Sequence, residues 1–103
     1  MSKKLVALCA CPMGLAHTFM AAQAISKAAS ELGYEAKVET QGADGTQNEL
    51  TVKEIREADL IIHAIAITPM DVERFDNVEV YEITLQEAIK DAKGVIQRIE
   101  AEK

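Results

Sequence analysis

The sequence has no tryptophan, and aromatic residues make up only 4% of its 103 positions. A core without large rings must be packed chiefly by Ala, Ile, Val and Leu, and the 49% hydrophobic share is enough for one such core. One domain spanning residues 1–103 is therefore expected. Cysteine is scarce: Cys9 and Cys11 are the two in the chain, and their spacing strains the geometry a disulfide requires. This excludes a disulfide scaffold and predicts two free thiols in a reducing cytoplasm. Long apolar runs are absent, so no segment reaches the ~18 residues of a membrane span, and Met1–Lys4 leads into too short an apolar run for a signal peptide. The net charge of -6 leaves no broad basic field for nucleic acid. Acid itself is missing from one region. Residues 1–30 contain no Asp or Glu but do contain Lys3, Lys4 and Lys27, and all 17 acidic residues lie from Glu31 onward. Two readings stand: chance together with an apolar, Ala-rich helix, or an N-terminal third that handles an anion and excludes carboxylates from its surroundings.

What is present alternates. Lys4 to Cys9 is a nearly continuous apolar run, suited to a strand covered on both faces. Pro12 and Gly14 break it. From Ala16 to Leu32 a helix is predicted, with Leu15, Phe19, Ala22, Ile25, Ala29 and Leu32 as its apolar stripe and Gly33 as its stop. Ala36–Gln41 is a second strand and 42–49 a loop. Thr51 with Glu54 forms a capping-box signal for a short helix through Ala58. Leu60–Ala64 is a third strand, Pro69 prevents a simple helix through 65–73, and Val78–Glu82 is a fourth strand. Thr84 with Glu87 caps a C-terminal helix whose stripe is Leu85, Ala88, Ile89, Ala92, Ile96 and Ile99. This order predicts an α/β fold, a three-layer sandwich in which a four-stranded parallel sheet of order 2-1-3-4 carries helices on both faces.

In open parallel sheets ligands bind beyond the carboxyl ends of the strands. Three loops are expected there: Ala10–Leu15, Gly42–Glu49 and Ala64–Asp71. The first holds Cys11-Pro12-Met13-Gly14-Leu15-Ala16-His17-Thr18, between a buried strand and a helix. A helix N-terminus offers unpaired N–H groups and about half a positive charge. Both favour thiolate over thiol and can hold phosphate oxygens. Gly14 permits close backbone approach, Pro12 restricts Cys11 to an extended conformation, and Thr18 and His17 add donors. No Asp, Glu, Ser or Asn caps this helix start, although the other two helices have capping boxes. The spacing Cys-x5-His-Thr also resembles the Cys-x5-Arg-Ser loop of low-molecular-weight tyrosine phosphatases. Here His17 replaces the Arg, which removes the bidentate clamp on phosphate. A phosphocysteine that is passed on, not hydrolysed, is the expected outcome, with Asp71 the residue placed to serve as acid if hydrolysis does occur.

The segment Cys11–Ala22 resembles the signature of the fructose-type enzyme IIB domain of the bacterial phosphoenolpyruvate-dependent sugar phosphotransferase system. Val38–Gly42, Asn48–Thr51, Arg74-Phe75 and Val80-Tyr81 extend the resemblance over essentially the whole chain. The resemblance implies a phosphotransferase. Cys11 would accept a phosphoryl group from a phosphohistidine on a IIA component and pass it to fructose or a related sugar in a membrane-embedded IIC permease. Pro12, Met13, Gly14, Leu15, Ala16, His17 and Thr18 would hold the phosphoryl group, with no cofactor or metal and no nucleic acid partner. Met13 stands where the family usually has Thr, and the Pro69-Met70 segment is unusual; both suit the fructose-like members. The carrier is expected as a separate cytoplasmic subunit, peripherally associated with the permease.

Other readings stay beside this one. The same loop suits a cysteine phosphatase, and the chain also suits a regulatory module that signals its phosphorylation state. Cys9-x-Cys11 suits a redox pair or a zinc site less well, because the spacing and the ligand number are wrong. Cys9 and His63 are expected as core residues, Met13 and Met70 as an apolar rim, and Gln41, Asp44 and Asn48 near the site without an assigned role.

Overall fold

The computed structural model describes residues 3–10, 15–42, 45–65, 72–75 and 78–102, with the side chains of 15–18, 42, 45 and 72 outside that description. Strand β1 (Lys3–Ala10) is followed by helix α1 (Leu15–Glu31), β2 (Tyr34–Gly42), β3 (Gly45–Gln47), α2 (Val52–Glu57), β4 (Leu60–Ile65), a 3-10 turn (Val72–Phe75), β5 (Tyr81–Ile83) and α3 (Leu85–Glu102). The sheet order is β3-β2-β1-β4-β5. β1 lies at the centre, parallel to β2 on one side and β4 on the other. β5 continues the parallel set beyond β4, and β3 folds back antiparallel on β2.

The α/β class holds, but the four-stranded parallel sheet is corrected to a mixed sheet of five strands. The added strand lies within 42–49, which the sequence presents as a loop. Thr40 pairs with Gln47, Gln41 with Thr46 and Gly42 with Gly45. Gly-Thr-Gln has no apolar alternation to announce a strand. β5 is also shorter and later than expected, because Val78 and Val80 pack against the core from irregular chain.

Alternation along β1 divides the core in two. Leu5, Ala7 and Cys9 join Leu60, Ile62 and Ala64 of β4 and pack under α1 and α3, against Ala21, Ile25, Ala29, Ala88, Ile96 and Ile99. Val6 and Leu8 point the other way, with Ile61, and meet Leu50, Ile55 of α2 and Phe75. The six residues from Leu5 to Ala10 are all buried, which accounts for the unbroken apolar run.

The helix ends follow local chemistry. Gly33, at φ +87°, takes the left-handed conformation that stops α1. Thr51 and Glu54 form the reciprocal capping box of α2, and Thr84 and Glu87 do the same for α3, with the Glu87 N–H 3.1 Å from Thr84 Oγ1. Two features depart from the periodicity. Phe19, expected in the α1 stripe, is 40% exposed beside Met20; Ile25 and Ala29 of that stripe are buried as expected, together with Ala21 and Ala28. α3 is interrupted at Asp91 (φ -156°, ψ 63°). The Asp91 carboxylate accepts the Gly94 N–H at 3.1 Å and so caps the second half of the helix.

Candidate functional site

The carboxyl ends of β1, β2 and β4 form one edge of the sheet, since the three strands run parallel. β1 leaves the sheet after Ala10, and α1 begins at Leu15, packed against β1 and β2. The start of α1 is thus carried by the connection that follows β1. Its first four N–H groups have no acceptor within the helix, and its first turn contains no acidic residue. Cys11, Pro12, Met13 and Gly14 lie outside the described residues, as do the side chains of Leu15, Ala16, His17 and Thr18. Leu15 to Thr18 form the first turn of α1.

The other cysteine has a different environment. Cys9 is fully buried between Thr40 of β2 and Ala64 of β4. Burial pushes its thiol up to about 12. A thiol that stays protonated at neutral pH is no nucleophile, so Cys9 is a core residue.

The second loop is anchored by a buried ion pair that sequence reading did not find. Glu39 of β2 has no exposed surface and faces the α2 side of the sheet, level with Leu8. Arg74, on the 3-10 turn, grips it with both nitrogens of its fork: Nη1 donates to Oε1 at 2.7 Å and Nη2 to Oε2 at 3.0 Å. The Leu50 N–H donates to Oε1 at 2.7 Å, and Gln41 Nε2 donates to Oε2 at 2.8 Å. Arg74 Nη1 also donates to the Leu50 carbonyl at 2.6 Å. Asn48, at φ 54°, takes the left-handed bend that Asn tolerates better than most residues, two residues before Leu50. Burial alone raises the Glu39 carboxyl, but the Arg74 fork, the Leu50 amide and Gln41 outweigh it and hold the group below the usual carboxylate range.

His63 of β4 lies in the same row, paired with Leu8 and Glu82. Its ring meets Phe75 edge-on, with centroids 4.4 Å apart and planes at 88°, and Arg74 lies 5.4 Å from the Phe75 ring on the same turn. Burial holds the imidazole below its ordinary value; Glu82 and Glu39 pull the other way and Arg74 adds to the depression. Among the described residues, His63 Nε2 and Thr40 Oγ1 are buried without a hydrogen-bond partner.

Of the second-loop residues, Gln41 turns out to be part of the Glu39 cluster, Asn48 is exposed at the bend, and Asp44 lies outside the described residues. Pro69, Met70 and Asp71 of the third loop lie outside them as well. The signal for the ion pair was Glu39 itself. A carboxylate in a strand covered on both faces requires a cation, but the sequence does not say which of eleven Lys and Arg supplies it. Among the described residues no three His, Cys, Asp or Glu side chains converge as a metal site, and no described helix is long and apolar enough to cross a membrane.

Comparison with known proteins gives consistent matches. The family model described as the lactose/cellobiose-specific IIB subunit of the phosphotransferase (PTS) system matches residues 6–98. The chain is 69% identical over 100 residues to the PTS system fructose-like EIIB component 1 of Escherichia coli strain K12, covering 97% of this chain and 93% of that one. It is 45% identical over 100 residues to a PTS system fructose-specific EIIB'BC component of Xanthomonas campestris, covering 97% of this chain but 17% of that longer protein. Its fold superposes on the solution structure of the enzyme IIB subunit of a PTS system from Escherichia coli K12 with a TM-score of 0.94 at 68% identity, covering 99% of this chain and 94% of that one.

Proposed function

Because this chain belongs to the PTS IIB subunit family and is an EIIB component of the fructose-like type, we propose that Cys11 is the residue through which its phosphotransferase activity runs. The observation that carries this is positional. Cys11 opens the link between the carboxyl end of the central strand and the start of α1, and the remaining cysteine is inert in the core.

The proposed cycle has two in-line steps. The Cys11 thiolate attacks the phosphorus of a phosphohistidine on a IIA component; the S–P bond forms, the N–P bond breaks and the imidazole leaves. A sugar hydroxyl then attacks the phosphocysteine; the O–P bond forms, the S–P bond breaks, the hydroxyl proton passes to a base, and the thiolate is regenerated. Both transition states spread negative charge over three phosphoryl oxygens. Residues Pro12 to Thr18 are assigned to hold them, with N–H groups of the acid-free helix start as the fixed donors. The absence of Arg from the loop favours transfer over hydrolysis, because His17 offers no bidentate clamp.

The partners follow from this reading. A IIA component donates, and a membrane-embedded IIC permease presents the sugar, fructose or a close relative. The chain acts as one carrier domain at the cytoplasmic face of that permease. In the Xanthomonas relative the corresponding segment is part of a much longer EIIB'BC chain, which fits a carrier that works beside its permease.

The test is transfer from a phosphorylated IIA protein, followed by peptide mapping of the product. A single phosphoryl group on Cys11 is expected, Cys11→Ser should accept none, and Cys9→Ala should accept it normally. Undiminished labelling of Cys11→Ser would refute the assignment.

A further inference from the structure

The Glu39–Arg74 cluster joins three parts of the chain that each border a loop of the carboxyl edge. Glu39 and Gln41 are in β2, immediately before the turn into β3. Leu50 follows the β3 hairpin, and Arg74 follows residues 66–71, which leave β4. In register, Glu39 is level with Leu8 and Gln41 with Ala10, the residue preceding Cys11. One guanidinium therefore ties β2 and the chain after the β3 hairpin to the 3-10 turn, alongside β1.

Stability alone does not account for a buried ion pair at this place. Its neighbours Leu8, Leu50, Ile55 and Phe75 are apolar and buried, and an apolar pair of similar volume in such a setting is commonly as stable as the ions or more so. What the ions add is a single geometry: a planar fork seated on a planar carboxylate, with the Leu50 N–H and carbonyl fixed by the same two groups. We propose that Arg74 is a positioning residue for phosphoryl transfer at Cys11, acting through Glu39 and Leu50 to hold the loops of the carboxyl edge in the arrangement the transfer needs. This rests on the Cys11 reading above.

The test separates geometry from stability. Glu39→Met/Arg74→Met removes both charges at similar volume but strands the Leu50 N–H and carbonyl and Gln41 Nε2, so its thermal midpoint should drop while the chain stays folded at the assay temperature. Its single-turnover rate constant for accepting the phosphoryl group at saturating IIA donor should nevertheless fall roughly tenfold or more, as small misplacements of reacting groups do, with the donor KM nearly unchanged. Arg74→Lys keeps the charge but not the fork and should give an intermediate rate constant. A rate constant is insensitive to a minor unfolded fraction, which lowers only the amplitude, so a purely structural role predicts wild-type rate constants in both variants. That result, in the double variant or in Arg74→Lys alone should the double variant not fold, overturns the inference and leaves Cys11 in place. Mapping the phosphoryl group of the wild-type protein to another residue overturns both readings together.

Discussion

The two cysteines give the sharpest separation between core and site, and Cys11→Ser isolates the core one. In that variant Cys9 is the remaining thiol, fully buried on the α1 side of the central strand. With its thiol pushed up to about 12, about one molecule in 10⁴ carries the thiolate at pH 8, against about a quarter for a free cysteine of pKa ~8.5. Reaction with a disulfide reagent proceeds through the thiolate; its scarcity, offset in part by the greater nucleophilicity of a more basic sulfur, should slow Cys9 by roughly two orders of magnitude, and obstruction by packing should slow it further. A thiol that is labelled in about a minute when exposed would then need hours or longer once packing is counted. The assay is colorimetric thiol titration of Cys11→Ser at pH 8, in buffer and in strong denaturant. We expect no reaction over an hour in buffer and one full equivalent in denaturant. In the wild-type protein one equivalent should react in buffer and two in denaturant. A full, rapid equivalent from native Cys11→Ser would refute the placement of Cys9 in the core.

How far the fold could be read from sequence depended on whether a physical signal was local. The central strand was legible because burial on both faces leaves an unbroken apolar run, Leu5 to Ala10. The capping boxes at Thr51 and Thr84 were legible because a capping box lies within four residues of chain. β3 was not, because three polar residues pair with β2 through backbone alone. α1 was misread at Phe19, which is exposed, whereas Ile25 and Ala29 of the expected stripe lie in the core beside Ala21 and Ala28. Asp91 was hidden for a related reason: the apolar stripe of α3 continues through the break on both sides, so periodicity alone shows one helix.

The site divides in the same way. Cys11 to Thr18 is a contiguous motif, and α1 begins within it at Leu15, one residue before the expected start. The Glu39–Arg74 pair spans 35 positions of sequence and connects strand to 3-10 turn. No pattern within a single element links them, and the Leu50 N–H that completes the cluster has no side-chain signature at all. Segments such as Val38–Gly42 and Arg74-Phe75 were recognisable as family-like without any indication that they touch. Contacts made by backbone groups, or between distant charges, become visible only when the chain is folded.

Three further outcomes test the packing and electrostatics. Ile96→Ala, which empties a fully buried position between α3 and the sheet, should cost about 2–5 kcal/mol by urea denaturation; a loss under ~1 kcal/mol would mean that this face is loosely packed. Gly94→Ala places a methyl group 2.2 Å from the Asp91 carboxylate, so it should destabilise by displacing that cap, about 1 kcal/mol, and should cost nothing further in an Asp91→Ala background; additive losses would sink that account. Stability should fall with acid in two steps, followed by urea denaturation from pH 8 to pH 3. His63 is held neutral in the fold, below the ordinary 6.5. As pH drops through that value the unfolded chain binds the proton first, so the contribution of His63 is whole above about 6.5 and drains away toward its lower folded value. Glu39 is held charged, below the ordinary 4.5, so its contribution is whole above that pH and is lost as pH falls through the folded value. His63→Phe should remove the upper step and leave the lower one, because the ring contact with Phe75 survives while the titrating nitrogen does not. An unchanged upper step in that variant would show that another group carries it.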